Sequence, residues 1–145
     1  MTGSFEVLEH TADVGLRARG GTLEEAFAAA GEGLAHLLGA WFPGEGEERG
    51  FSMGTDDREG LLVAWLDEIL YLHEAEDLVF GGIRVTRVSD WDPGAPMSCE
   101  LEALLTCAPR GERELEGVGV KAATFHELRV AEEGGEWVAQ VYLDV

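Results

Sequence analysis

The sequence predicts an α+β fold, a single compact domain over residues 1–145 in which two helices pack on a largely antiparallel β-sheet. Three observations predict it. Apolar and polar side chains alternate with a period of two in several separate stretches; two longer stretches carry apolar residues at helical spacing; and the last two strand-like stretches are joined by a short glycine-containing turn, as in a hairpin. A chain of 145 residues with 46% hydrophobic content can bury one sizeable core.

The elements follow in order. Residues 5–10 and 14–18 alternate as half-buried strands, with Thr11, Ala12 and Asp13 as a short polar link between them. Thr22 with Glu25 three residues on forms a capping box, and Leu23, Ala26, Phe27, Ala30, Leu34, Leu37 and Leu38 then repeat at helical spacing up to Gly39, which ends the helix. Residues 43–50 are polar and glycine-rich and read as a loop, followed by a short strand over 51–53. A second helix is expected from about Asp56, with Glu59 as its box partner. Its face of Leu61, Leu62, Trp65, Leu66, Ile69, Leu70 and Leu72 is broad enough to lie deep in the core.

Gly81 and Gly82 separate extended stretches at 78–80 and 83–89, so a turn or bulge is expected there. Residues 91–96 (WDPGAP) read as a surface loop, because two prolines and a glycine oppose regular pairing. An apolar strand over 99–108, a charged connection over 110–116 and extended structure over 118–130 come next. The segment Glu132-Glu133-Gly134-Gly135-Glu136 turns the chain into a final strand over 137–145. On that strand Trp137, Ala139, Val141, Leu143 and Val145 share one parity, and Gln140, Tyr142 and Asp144 share the other, so Asp144 is expected to face away from the main core.

Composition restricts the function classes. The first residues have neither a basic start nor an apolar stretch of the signal-peptide kind, and no window approaches the roughly 20 apolar residues of a membrane span, so a cytoplasmic protein is expected. Cys99 and Cys107 lie in one extended segment, which would hold them roughly 26 Å apart and forbid a bridge between them. Two inert thiols are expected. With 29 acidic residues against 10 basic ones, the net charge of -19 disfavours direct nucleic-acid binding and is compatible with a basic protein partner. Apart from Lys121, every basic residue is an arginine.

His10 and Asp13 stand three residues apart at a strand end, where side chains can converge on a cation; an Asx-turn by Asp13 beside an ordinary strand histidine explains the same spacing. Asp144 is followed by Val145, whose terminal carboxylate would add oxygen donors, although a solvated carboxylate is the plainer reading. Oxygen donors with one optional imidazole suit calcium, magnesium or manganese better than zinc. Lys121 and His126 lie in VKAATFH with opposite parity, so a regular strand would turn them to different sides. A solvent-exposed lysine and a paired structural histidine are the plainer readings there. His36 and His73, near the helix ends, read as structural, and Asp67 with Glu68 as the polar edge of the second helix. Phosphate loops, nucleophile elbows and paired-cysteine motifs are absent.

Several segments in this order carry a family likeness. FEVLEHTADVGLRARG followed by TLEEAFAAAGEGL, then LLVAWLDEILYL, GVGVKAATFHELRV and the terminal WVAQVYLDV together span nearly the whole chain. In this set the chain resembles the archease family. The resemblance implies a protein cofactor, not itself an enzyme, for the RtcB-type RNA ligase, which joins RNA ends carrying a 2',3'-cyclic phosphate or a 3'-phosphate in tRNA splicing and RNA repair. It implies promotion of ligase guanylylation and multiple turnover, with GTP contacted only in the complex. By motif, the family's essential acidic residues fall on Asp13 and Asp144 and its lysine on Lys121. A divalent cation, calcium for preference, is implied in the site, with His10 and Val145 as further candidate ligands and His126 beside Lys121 on the partner side.

Asp67 stands where asparagine is expected in the family's helix motif, and the loops over 43–56 and 90–98 look individual; none of these is expected to touch the site. A general chaperone or specificity modulator of nucleic-acid-modifying enzymes is the alternative function, for which an acidic soluble surface suffices. A free-standing metal-dependent hydrolase using His10, Asp13 and Asp144 lacks an evident general base or nucleophile.

Overall fold

Strand β1 (Ser4–Glu9) leads into β2 (Asp13–Gly20), helix α1 (Leu23–Leu37), β3 (Glu47–Thr55), helix α2 (Arg58–Glu74), β4 (Leu78–Asp90), β5 (Cys99–Pro109), β6 (Ala122–Ala123), β7 (Arg129–Glu133) and β8 (Glu136–Asp144). This computed structural model describes residues 3–9, with backbone alone at Glu9, 13–90 and 95–145. His10 and most of the 91–96 loop lie outside the described residues.

Local chemistry starts and stops the helices. Thr22 caps α1: its Oγ1 accepts the Glu25 N–H at 3.1 Å and donates to the Glu25 carboxylate at 3.3 Å, close to the expected box. Gly39 follows the C-terminal cap Leu38, as expected. For α2 the cap is Asp57 rather than Asp56, and its carboxylate accepts from the Gly60 N–H at 2.7 Å, so Glu59 is not the partner. Asp56 instead accepts the Met97 N–H on Oδ1 at 2.9 Å.

The strands pair antiparallel throughout, but they form two sheets rather than one. The first runs β1-β2-β8-β6, with β7 also on β8; the second runs β3-β5-β4. The reason lies in α2. Leu61, Leu62, Val63, Trp65, Leu66, Ile69, Leu70 and Leu72 are all buried and take up most of its circumference, and a helix apolar on so many sides needs cover from more than one direction. Helix α1 likewise touches β2 of the first sheet and β4 of the second. Trp65 joins the helices by donating its indole N–H to the Phe27 carbonyl at 2.8 Å from a fully buried position. Each such large side chain contributes about 1.5–3 kcal/mol on burial.

Two strands depart from expectation. β3 begins at Glu47, inside the expected loop, because its first residues are exposed on a sheet edge and need no apolar alternation. The stretch 118–130 is not one extended strand: only β6 and the start of β7 pair, and a turn separates them. In β4 the register shifts at Phe80/Gly82, the bulge that the two glycines predict, and again at Val85/Arg87. Gly134 and Gly135, with φ of 59° and 84°, make the two-residue turn between β7 and β8.

Cys99 and Cys107 are free and buried, and burial pushes both thiols up, with the Asp90 carboxylate adding to the effect at Cys99. Arg58, the first residue of α2, pairs with Asp90 at 2.8 Å and lies 5.2 Å over the Trp137 ring, fastening the second sheet to the first. No helix among the described residues is long and apolar enough to cross a membrane.

Candidate functional site

The register of β2 and β8 brings distant parts of the chain to one point. Val14, Leu16 and Ala18 face Leu143, Val141 and Ala139 on the inner side of the sheet. The intervening pairs lie on the outer side: Asp13 opposite Asp144, Gly15 opposite Tyr142, and Arg17 opposite Gln140. Directly opposed residues hold their Cβ atoms about 4.5–5.5 Å apart, so the two carboxylates are neighbours. Asp144 is exposed, as its parity predicts, and Asp13 is half-buried. Among the described residues neither has an ion-pair partner.

Lys121 is brought to the same end of the sheet. Its backbone N–H donates to the Asp144 carbonyl at 2.7 Å, and Ala122 then pairs with Asp144 in β6. Every arginine except Arg110 lies within ion-pair distance of a carboxylate, whereas the exposed Lys121 ammonium has no such partner among the described residues.

Asp67 belongs to this end of the molecule, contrary to the expectation that it lies apart. Its Oδ1 accepts the Ala123 N–H at 3.3 Å, two residues from Lys121 and beside the Leu143–Asp144 end of β8. Its side chain is exposed, yet partial desolvation at its foot raises the carboxyl above the ordinary value, and the Ala123 N–H offsets part of that rise. Nothing local in the sequence signals this, because Asp67 is exposed on α2 and its partner Ala123 lies 56 residues further along the chain.

His126 reaches the outer face through a turn rather than a strand. Thr124 donates its N–H and its hydroxyl to the Tyr142 carbonyl, each at 2.9 Å, and the His126 ring stands edge-on to Tyr142 at 5.5 Å. Gly15 makes room for the Tyr142 ring, since a Cβ there would lie 2.8 Å from Cε1 of Tyr142 and 2.7 Å from the Leu8 Cβ. Val145 is 38% exposed just beyond β8. His10, the remaining candidate ligand, lies outside the described residues.

The other histidines are structural. His36 lies between the rings of Phe5 and Trp41, at 5.2 and 5.6 Å, and His73 Nδ1 is 2.8 Å from the Leu78 carbonyl. Among the described residues no group of three or more His, Cys, Asp or Glu side chains is arranged to hold a metal. What they offer is a pair of hard oxygen donors side by side, a donor type that fits calcium, magnesium or manganese and leaves further ligands to come from elsewhere.

Known proteins share this sequence and fold. The model of the archease protein family (MTH1598/TM1083) matches residues 5–145. Protein archease of Thermococcus gammatolerans is 36% identical over 143 residues, covering 97% of this chain and 98% of that protein. Its counterpart in Thermococcus kodakarensis is 35% identical over the same shares. The solution structure of Methanobacterium thermoautotrophicum protein 1598 superposes with a TM-score of 0.79 at 31% identity, covering 98% of this chain and 99% of that one. A Thermotoga maritima archease, described as a possible chaperone, shares the fold with a TM-score of 0.58 at 22% identity, covering 95% and 94% of the two chains. The chain belongs to the archease protein family.

Proposed function

We propose that this protein activates an RtcB-type RNA ligase, promoting its guanylylation and multiple turnover through the acidic end of the first sheet. The observation that carries the reading is the Asp13–Asp144 pair: two like charges directly opposed across a ladder destabilise the fold, and such an arrangement is retained where a cation or a cationic partner uses it. Asp13 and Asp144 would hold a divalent cation, calcium for preference, with His10 and Val145 completing the ligand set. When bound, the ion would supply charge stabilisation to phosphate oxygens at the interface with the ligase.

The chain's own residues then have separate tasks. Asp13 and Asp144 present the carboxylates, the β6 pairing fixes Lys121 beside them, and the Lys121 ammonium orients phosphate groups of GTP in the complex. Bond making and breaking stay with the ligase, and His126 belongs to the surface that meets it. The test is transfer of labelled guanylate from GTP to the ligase in the presence of Asp13→Ala or Asp144→Ala protein. Stimulation equal to wild type by both variants would sink the proposal. A general chaperone, the reading suggested by the description of the Thermotoga maritima relative, predicts that same equality.

A further inference from the structure

The backbone of the turn over residues 124–128 is tied down at every residue, and one side chain stands apart from it. Thr124 bonds the Tyr142 carbonyl twice, and the His126 N–H donates to Thr124 Oγ1 at 3.3 Å. The Glu127 carbonyl accepts from the Gln140 amide at 3.1 Å, and the Leu128 N–H closes the turn on the Phe125 carbonyl at 3.4 Å. Glu127 is held at φ +47°, a left-handed conformation that a glutamate adopts only where its surroundings impose it. The exception is the Phe125 ring. At 71% exposure it is the most exposed large hydrophobic side chain among the described residues.

A connection that merely joined β6 to β7 would gain from a polar residue at this position. Here a constrained backbone presents an aromatic ring to water, so the turn that carries it is already formed before anything binds, and little backbone entropy is lost on docking. Its place is also informative. Gln140, Tyr142 and Asp144 share one face of β8, so the turn that grips Gln140 and Tyr142 covers the face that carries the Asp13–Asp144 pair.

We infer that Phe125 is the anchor of a protein-docking surface, seated in an apolar pocket of the partner whose rim is basic. The inference rests on the proposed role as a ligase activator and names the part of the face that the partner grips. Aromatic anchors at the centre of an interface carry most of its affinity, and the net charge of -19, with Glu127 in the turn itself and Asp144 paired with Ala122 just before it, selects a basic rim. A nucleic-acid strand stacking a base on the same ring would meet those carboxylates with its phosphates, which favours a protein.

The experiment measures binding of this protein to an RtcB-type ligase by calorimetry, for wild type, Phe125→Ala, Phe125→Glu and Phe125→Trp. Phe125→Ala weakens binding by roughly thirtyfold or more, the size of a truncated aromatic hot spot, and Phe125→Glu weakens it further. Phe125→Trp stays within about threefold of wild type. Guanylylation driven by saturating Phe125→Ala protein reaches the wild-type rate, because the ring grips and does not take part in the chemistry. Equal affinity for Phe125→Ala and wild type would overturn the anchor and leave the activator reading standing. Wild-type protein that does not bind the ligase would overturn both. Loss of binding to a single-stranded RNA oligonucleotide in Phe125→Ala, with ligase affinity intact, would overturn the inference in favour of base stacking.

Discussion

Asp13 stands directly opposite Asp144, near the two ends of the chain, with both side chains on the outer face of the first sheet. Sheet pairing puts them there, and their charges oppose that pairing.

Removing one of the two charges should therefore stabilise the metal-free protein. Asp144→Asn keeps the shape and is expected to gain about 0.2–1 kcal/mol in chelator, the usual scale for cross-strand pairs. Added calcium should raise the melting temperature of wild type by ligand linkage and leave the variant unmoved. Thermal scans in chelator and in excess calcium measure both, and equal calcium shifts in the two proteins would count against a shared cation site.

Asp67 gives the pH dependence. Partial desolvation raises its carboxyl above the ordinary 3.8, so the folded state holds this proton more tightly than the unfolded chain does. Stability from this group is greatest below 3.8 and falls as pH rises through the raised value, leaving a penalty at neutral pH. Asp67→Asn keeps an Oδ1 acceptor for the Ala123 N–H and removes the charge. The variant should be more stable than wild type at pH 7, with the difference fading in acid. Urea titrations across that range measure it, and a gain that grows on acidification would refute the assignment.

Much of this was legible in the sequence, and the failures have physical causes. Thr22 and Glu25 announce α1 because capping is local chemistry, and the parity of β8 places Asp144 outside because a pleat alternates strictly. Asp13 and Asp144 could be singled out by motif, but not their opposition, which depends on β2 pairing with β8 across the whole chain. Asp67 was misplaced because nothing local says that β6 passes beside α2. Lys121 and His126 were assigned to one strand, whereas the chain pairs for two residues and then turns, with Thr124 spending its hydroxyl on Tyr142. The start of β3 was missed because an exposed edge needs no apolar pattern.

Gly15 tests the outer face. A methyl group there meets the Tyr142 ring at 2.8 Å and both the Leu8 Cβ and its carbonyl oxygen within 3.1 Å, so neighbours on two strands have to move. Gly15→Ala is expected to cost about 1–3 kcal/mol, as overpacking does. Denaturant unfolding measures the loss, and a neutral effect would mean that the Tyr142 ring is not held over Gly15.

Cys99, fully buried, and Cys107, 5% exposed, should not react with a thiol reagent in the native state. Burial favours the neutral thiol, so stability from these groups falls as pH rises above the ordinary 9.0 toward the raised values. Labelling in native buffer and in denaturant separates the two states. Rapid native labelling of either cysteine would contradict the placement of β5.

The central claim is that the Asp13–Asp144 pair is a device for activating another protein. Its most direct test is ligation of RNA ending in a 3'-phosphate by an RtcB-type ligase, with substrate in large excess over ligase, in the presence of wild-type or Asp144→Ala protein of equal folded content. Sustained multiple turnover with wild type, and no stimulation above ligase alone with Asp144→Ala, is the predicted result. Equal turnover with the two proteins would contradict the claim.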